Sequence, residues 1–224
     1  MSNFIYAEKH FNFLDRIVEN RREKFFDFMK SKINFDQCNS YLDIGTTQDE
    51  RHKSSNYLNQ KFDFIKIHKS ISDQKISNKR FSNVLQKSIT SSFSSEEIVD
   101  FKSDFVISNA TIEHVGSLKN QKKMVENMIK LTNKVMIIQT INRFFPIDTH
   151  TKLPLLHMLP KIMHRKIIKF LGYDYYSLEE HLNMLSINEM ENILKNFKQF
   201  IKFKIYKIRT LGFISNILVI CYKN

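Results

Sequence analysis

The chain predicts an α/β protein: a doubly wound, seven-stranded sheet, mostly parallel, with a C-terminal antiparallel hairpin and a helical N-terminal cap. Three observations predict it. Short apolar runs bounded by turn residues alternate with segments of helical periodicity, the pattern of βαβ units. Two of those runs, Tyr41-Leu42-Asp43-Ile44-Gly45 and Asp104-Phe105-Val106-Ile107-Ser108-Asn109-Ala110-Thr111-Ile112-Glu113-His114-Val115-Gly116, lead directly into polar turns. Strands whose carboxyl ends face a ligand crevice end in this way. The last two runs, 200–209 and 216–222, are separated only by a short turn containing Gly212, which allows a hairpin and excludes a crossover helix.

In chain order, residues 4–32 carry Leu14, Ile17, Val18, Phe25, Phe28 and Met29 at helical spacing, with charges between them. This is the helical cap, 1–35. The first strand spans 40–44. Ser54, Ser55 and Asn56 can start a helix that runs through 61. Phe62 to His68 alternates apolar and polar residues and predicts the second strand. The third covers 83–89 and the fourth 104–108. Ser117 caps a helix through 132 whose inner face holds Met124, Val125, Met128 and Leu131. The fifth strand is 134–140. Ser186-Ile187-Asn188-Glu189 fits a capping box, with Met190, Ile193, Leu194 and Phe197 behind it at helical spacing. Between the fifth strand and that helix lies a long insertion, 141–185, with all three prolines, Pro146, Pro154 and Pro160. A long segment at a strand's carboxyl end is a candidate lid or substrate loop.

A chain of 224 residues defaults to one domain, 1–224, with room for a full core. Its 42% hydrophobic content fits a globular protein rather than a disordered one. No apolar run approaches the ~18 residues of a membrane span, and the first ten residues carry no apolar signal core. Cys38 and Cys221 form no disulfide framework and no Cys-x-x-Cys. A soluble, cytoplasmic protein is expected. The net charge of +12 invites a nucleic-acid partner. The basic residues are spread along the chain, however, and rise together with Asn, Ile, Phe and Ser, so the charge follows composition rather than a binding patch. The sequence is silent on oligomeric state.

Three clusters carry candidate chemistry. In Asp43-Ile44-Gly45-Thr46-Thr47, Gly45 lets the chain turn and lets a ligand approach the backbone; an ordinary strand-to-loop turn has the same composition. Asn109, Glu113 and His114 follow a buried strand, and His114 can act as a base near neutral pH. Equally, Glu113 can cap the next helix and His114 pack over the sheet. In Asn142 to Thr151, Asp148 can orient His150 as a base or substrate clamp, beside Arg143; a proline-ordered loop with internal hydrogen bonds is the alternative. His157 and His164 read as structural or surface residues. The histidines show no zinc spacing, so no metal is expected.

These segments resemble the class I S-adenosylmethionine-dependent methyltransferases, in particular the bacterial small-molecule, methyltransferase type 11-like branch. The resemblance rests on Leu42-Asp43-Ile44-Gly45, on Asp104 to Gly116 with its Glu113-His114-Val115, and on Thr140-Ile141-Asn142-Arg143-Phe144-Phe145-Pro146. It extends through Thr149 to His157 and covers roughly 40–185. It implies a Rossmann-like fold and S-adenosylmethionine as cofactor. Asp43, Gly45, Thr46 and Thr47 would line its methionine end, Ser88 and Ile89 its adenine, and Asn109 and Ala110 its sulfonium. His114, His150 and Glu113 would be catalytic, and Arg143, Asp148 and His150 would bind the substrate.

The chain departs from the family at four places. Its first loop keeps one glycine, Ser88 stands for the usual Asp, and Ile141 for the usual Pro. The expected second strand ends in Ile67-His68-Lys69, where the family has an acid for the ribose. Each loss removes on the order of 1 kcal/mol. Two activities follow: methyl transfer to an O- or N-linked small-molecule acceptor, saccharide or lipid-linked, or a non-catalytic relative acting as a binding or partner subunit. Residues 152–171 interleave apolar and basic side chains, suited either to an anionic membrane surface or to a packed lid helix. A nucleic-acid methyltransferase is disfavoured, because Asn109-Ala110-Thr111-Ile112 lacks the prolines and aromatic that stack an extruded base.

Overall fold

The computed structural model describes residues 23–47 and 57–224. The expected helical stretch 4–22 and the helix start at Ser54–Asn56 lie outside the described residues. The chain comprises two compact units.

The described part of the first unit is 23–37 and 57–64. It holds α1, residues 23–32, and α2, Tyr57–Lys61. Aromatic rings make its core: Phe62 is fully buried, with ring centres 5.5 Å from Phe26 and 5.4 Å from Phe35. Lys61 pairs with Glu23 at 2.6 Å.

The second unit contains the sheet, in the order β3-β2-β1-β4-β5-β7-β6. Its strands are β1 Ser40–Ile44, β2 Ile67–Ser72, β3 Asn83–Gln86, β4 Ser103–Asn109, β5 Thr132–Ile141, β6 Ile201–Thr210 and β7 Phe213–Lys223. The first five run parallel; β7 is antiparallel to both β5 and β6. The number of strands and the closing hairpin are as expected. Leu211 and Gly212 both have positive φ, +49° and +84°, as a two-residue hairpin turn requires. The order reverses between β1 and β4, and this switch point opens the crevice at the carboxyl ends of those strands.

The helices are α3 Ser95–Phe101, α4 Leu118–Leu131, α5 Lys161–Phe170, α6 Asp174–Ser177 and α7 Ile187–Lys195. Ser117 caps α4, and Ser186 with Glu189 closes the expected capping box on α7. A second box, Ser94 with Glu97, caps α3. Met124, Val125 and Met128 of α4 and Met190, Ile193 and Leu194 of α7 join Val106, Met136, Ile138 and Val219 of the sheet in one core, all fully buried. Each such side chain contributes roughly 1.5–3 kcal/mol.

The expected strand at Phe62 to His68 is displaced. The strand begins at Ile67, and Phe62 belongs to the aromatic core of the first unit. The alternation of 62–68 reflects that cluster. Residues 68–72 look too polar for an inner strand, yet Ser70 and Ser72 are buried with their hydroxyls bonded to Thr46. The third strand is also shorter than expected and stops at Gln86.

Candidate functional site

The loop after β1 is braced by polar side chains. The Thr46 hydroxyl donates to the Asp43 carboxylate and accepts from Ser70 at 2.8 Å, while Ser72 donates to the Thr46 carbonyl at 2.7 Å. Tyr41, fully buried beneath, hydrogen-bonds Asp43; burial drives its pKa far above the ordinary value, and the Asp43 charge adds to that. Asp43 and Thr46 are both buried, so their side chains shape the loop from within. Thr47 is half-buried. Gly45 has φ +85°, and a Cβ there would run into the Thr111 side chain. The close approach that demands glycine is made by Thr111, whose hydroxyl donates to the Ile44 carbonyl at 3.2 Å and so ties β1 to the turn after β4.

The shift of β2 changes what stands at its carboxyl end. The strand ends at Ser72, and the next residue is the exposed Asp73. An acidic side chain therefore stands at the carboxyl end of β2, four residues beyond Lys69. Beyond β3, the Ser88 hydroxyl pairs with that of Thr90 at 2.9 Å. Ile89 is buried, and Asn127 of α4 donates to its carbonyl at 2.6 Å and to that of Ser91 at 2.8 Å.

At the end of β4, Asn109 and Ala110 are exposed. Ala110 has φ +54°, a left-handed conformation that costs a non-glycine residue on the order of 1 kcal/mol. Its N–H donates a hydrogen bond to the Gln139 carbonyl at 2.9 Å. A short helical turn, Ile112–His114, follows. Glu113 is fully buried; its Oε2 accepts from Thr140 Oγ1 at 2.8 Å, and no described residue hydrogen-bonds its Oε1. His114 sets Nδ1 against the His181 carbonyl at 2.7 Å. Burial lowers its pKa from the ordinary value; the Glu113 charge and the His181 carbonyl pull upward, and the His150 and His181 ring charges push further down.

The insertion after β5 closes over this turn. Asp148 is almost wholly buried and accepts from the His150 amide at 2.9 Å, the His150 ring at 3.1 Å and the Thr151 hydroxyl at 2.7 Å. Burial works against its ionisation, but these donors and the His150 charge outweigh it and hold the pKa down to about 2. His150 Nε2 lies 3.3 Å from His114 Nε2, and Tyr176 packs against the His150 ring at 5.6 Å. Asn183 fastens the insertion. Its amide donates to the Glu113 carbonyl at 2.7 Å and its side chain to Gly116 at 2.7 Å, and Gln121 donates to its carbonyl at 2.8 Å. Arg143 donates to the carbonyls of His157 and Leu159, at 3.2 and 2.6 Å, so its guanidinium braces the insertion. His157 and His164 are buried within the same segment.

The fold thus brings Glu113, His114, Asp148 and His150 together beside the switch point, with Gly45, Thr46, Thr47, Asp73, Asn109 and Ala110 at the ends of β1, β2 and β4. Ser88 and Ile89 stand apart, beyond β3. Thr111, Asp73 and Asn183 are additions; only Asp73 had a readable signal, an acid shortly after a strand.

This topology decides the fold. The fold is that of the class I methyltransferases. The plantazolicin methyltransferase BpumL, crystallised with a triazolic desmethylPZN analog and S-adenosylhomocysteine, superposes with a TM-score of 0.56 at 12% identity, over 94% of this chain and 85% of that one. The magnesium protoporphyrin IX methyltransferase ChlM of Synechocystis PCC 6803, with bound S-adenosylmethionine, gives 0.53 at 10% identity, over 99% and 88%. The N-methyltransferase NodS of Bradyrhizobium japonicum WM9, with S-adenosylhomocysteine, gives 0.51 at 10%, over 90% and 86%. At such identities the likeness is one of fold. No protein-family model matches the chain, and no curated protein sequence does.

Proposed function

We propose that the chain is an S-adenosylmethionine-dependent methyltransferase acting on a small-molecule acceptor through oxygen or nitrogen. The observation that carries this reading is the switch point between β1 and β4. There Thr46, Thr47, Asp73 and the strained Asn109–Ala110 turn gather at the carboxyl ends of neighbouring strands, beside the His114–His150 pair. The fold neighbours that hold S-adenosylmethionine or S-adenosylhomocysteine support the choice of cofactor. The residues present fit it: Asp73 is an exposed carboxyl group where the ribose hydroxyls need an acceptor, and Asn109 and Ala110 are open where the sulfonium end would lie. Gly45, Thr46 and the buried Asp43 shape the loop under the methionine end, and Ser88 and Ile89 stand at the adenine end.

The cofactor supplies an electrophilic methyl on a sulfonium. The chain has to align an acceptor lone pair with it, which accounts for much of the rate in such transfers, and to accept the acceptor's proton. His150 suits the second task. Asp148 fixes its Nδ1 side, which leaves the lone pair on Nε2. Glu113 and His114 complete the polar wall, and Arg143 and Asp148 act on the acceptor by fixing the insertion.

Incubation with S-adenosylmethionine and a panel of small hydroxyl and amine acceptors tests this. S-adenosylhomocysteine should accumulate with at least one acceptor, and His150→Ala should lower kcat by about 10²–10⁴-fold without changing KM for the cofactor. A binding-only relative is the second reading, favoured by Ser88, whose hydroxyl is taken by Thr90. Cofactor binding without turnover on any acceptor would select it.

The outer face of the insertion suggests where the acceptor resides. Ile162, Met163, Phe170 and Leu171 are 68, 51, 91 and 48% exposed, with Lys166 and Lys169 exposed among them. Apolar side chains interleaved with lysines suit an anionic lipid surface, and a lipid-linked acceptor fits that placement. Among the described residues no helix is long and apolar enough to cross a membrane. Both cysteines are free and buried, in keeping with a reducing, cytoplasmic setting.

A further inference from the structure

The two histidines present a chemical difficulty that one assignment resolves. The Nδ1 of His114 faces the His181 carbonyl, which can only accept, so in the neutral ring the proton is on Nδ1 and Nε2 carries a lone pair. The Nδ1 of His150 faces the Asp148 carboxylate, with the same consequence. Both Nε2 atoms therefore offer lone pairs, and they face each other at 3.3 Å. Two acceptors at this distance need a positive charge between them, either a shared proton or a metal ion. The third wall is Glu113, whose fully buried Oε1 has no hydrogen-bond partner among the described residues. One donor atom from each of the three residues lies within 4.8 Å of the other two.

We propose that His114 Nε2, His150 Nε2 and the Glu113 carboxyl group bind a divalent transition-metal ion of the zinc type. The spacing suits it: nitrogens each ~2.0–2.1 Å from a tetrahedral ion stand about 3.3 Å apart. Two imidazoles and one carboxyl oxygen favour zinc, cobalt or iron over magnesium or calcium, which prefer oxygen alone. Each ligand also has a fixed outer partner. Asp148 holds His150, the His181 carbonyl holds His114, and Thr140 holds the other oxygen of Glu113. Metal-binding histidines and carboxylates are oriented by such partners.

Three protein ligands leave a fourth position for an oxygen, either water or the hydroxyl or carboxyl oxygen of an acceptor. This last step rests on the methyl-transfer reading. With the ion in place the histidines no longer take the acceptor's proton themselves. The ion lowers the pKa of the bound hydroxyl, and the proton leaves to solvent. The acceptor class is then an oxygen nucleophile. The ligand set requires His114 and His150 to shed protons before the metal binds, as metal sites do.

The test is a titration of the metal-free full chain with Co²⁺, read by visible absorption, followed by Zn²⁺ competition. The proposal expects intense tetrahedral d–d bands at one equivalent, displaced by Zn²⁺. Glu113→Gln and His150→Ala should each weaken binding by at least about 100-fold, the upper loss seen for outer-shell partners. His181→Ala keeps the carbonyl that holds His114 and should bind like wild type. A second measurement needs no variant. In protein labelled with ¹⁵N-histidine, Zn²⁺ should move the Nε2 resonances of two of the eight histidines. Folded protein with no cobalt bands and no shifted resonances overturns the proposal, and leaves a shared proton between the rings. Unchanged binding in both variants overturns it as well. S-adenosylhomocysteine binding, measured in the same samples by calorimetry, reports on the methyltransferase reading separately.

Discussion

At the scale of single residues, Gly45 and Thr111 constrain one another. Gly45 lies at φ +85°, and Thr111 fills the space that a Cβ would take. Gly45→Ala therefore meets both a left-handed backbone and an overpacked contact, and should lower stability by about 2–4 kcal/mol in denaturant unfolding. Adding Thr111→Ala should recover part of that loss, because the two positions touch and their effects are not additive. Equal losses in the single and double variants would disprove the contact. The acid–histidine cluster predicts a pH profile. His114 has its pKa lowered from 6.5 in the folded chain, so the unfolded chain takes up a proton that the native one resists, and stability falls as pH drops below about 6.5. Asp148 is depressed from 3.8 to about 2, so its contribution is complete above pH ~4 and is lost as pH falls through ~2. That contribution is about 2 kcal/mol, and Asp148→Asn should flatten the acid limb by this amount. An unchanged limb would show that Asp148 is not held by His150 and Thr151. The fourfold convergence of Glu113, His114, Asp148 and His150 was only half legible. Sequence named all four, but nothing in the 36-residue separation of the two histidines shows that different loops bring their rings into contact.

Elements differ in how openly their sequences report them. β1, β4 and β5 are buried inner strands with continuous apolar runs, and α4 and α7 carry capping residues ahead of regular apolar periodicity; all five lie where the pattern places them. β2 does not. Its buried serines spend their hydroxyls on Thr46, so polarity in the sequence is not exposure in the fold, while Phe62 and Phe64 imitate a strand from within an aromatic cluster. That displacement hid Asp73. α5 carries its own prediction. Its exposed Ile162, Met163 and Phe170, with Lys166 and Lys169, should bring the protein up with vesicles of anionic lipid in a flotation gradient, and not with neutral vesicles. Ile162→Ser with Phe170→Ser should abolish flotation while leaving cofactor binding intact. Flotation that survives the double substitution would show that this face does not dock on the lipid.

For the whole molecule, alternating strand and helix signals with a terminal hairpin made the fold class legible. The strand order β3-β2-β1-β4-β5-β7-β6 confirms it and places the crevice at the β1–β4 switch. The net charge of +12 also acts at this scale, drawing the chain toward anionic surfaces without choosing a binding face. What the sequence could not convey is how a loop with one glycine keeps its shape, since that depends on Ser70, Ser72 and Thr46 meeting across two strands. Methyl transfer by the chain depends on this braced crevice binding S-adenosylmethionine. The most direct test is thermal unfolding with and without S-adenosylmethionine or S-adenosylhomocysteine, alongside Asp73→Ala. At about 100 times the dissociation constant the ligand should stabilise the native state by about 2.7 kcal/mol, a shift that Asp73→Ala should reduce. A well-folded chain whose midpoint does not move with either ligand at millimolar concentration would contradict it.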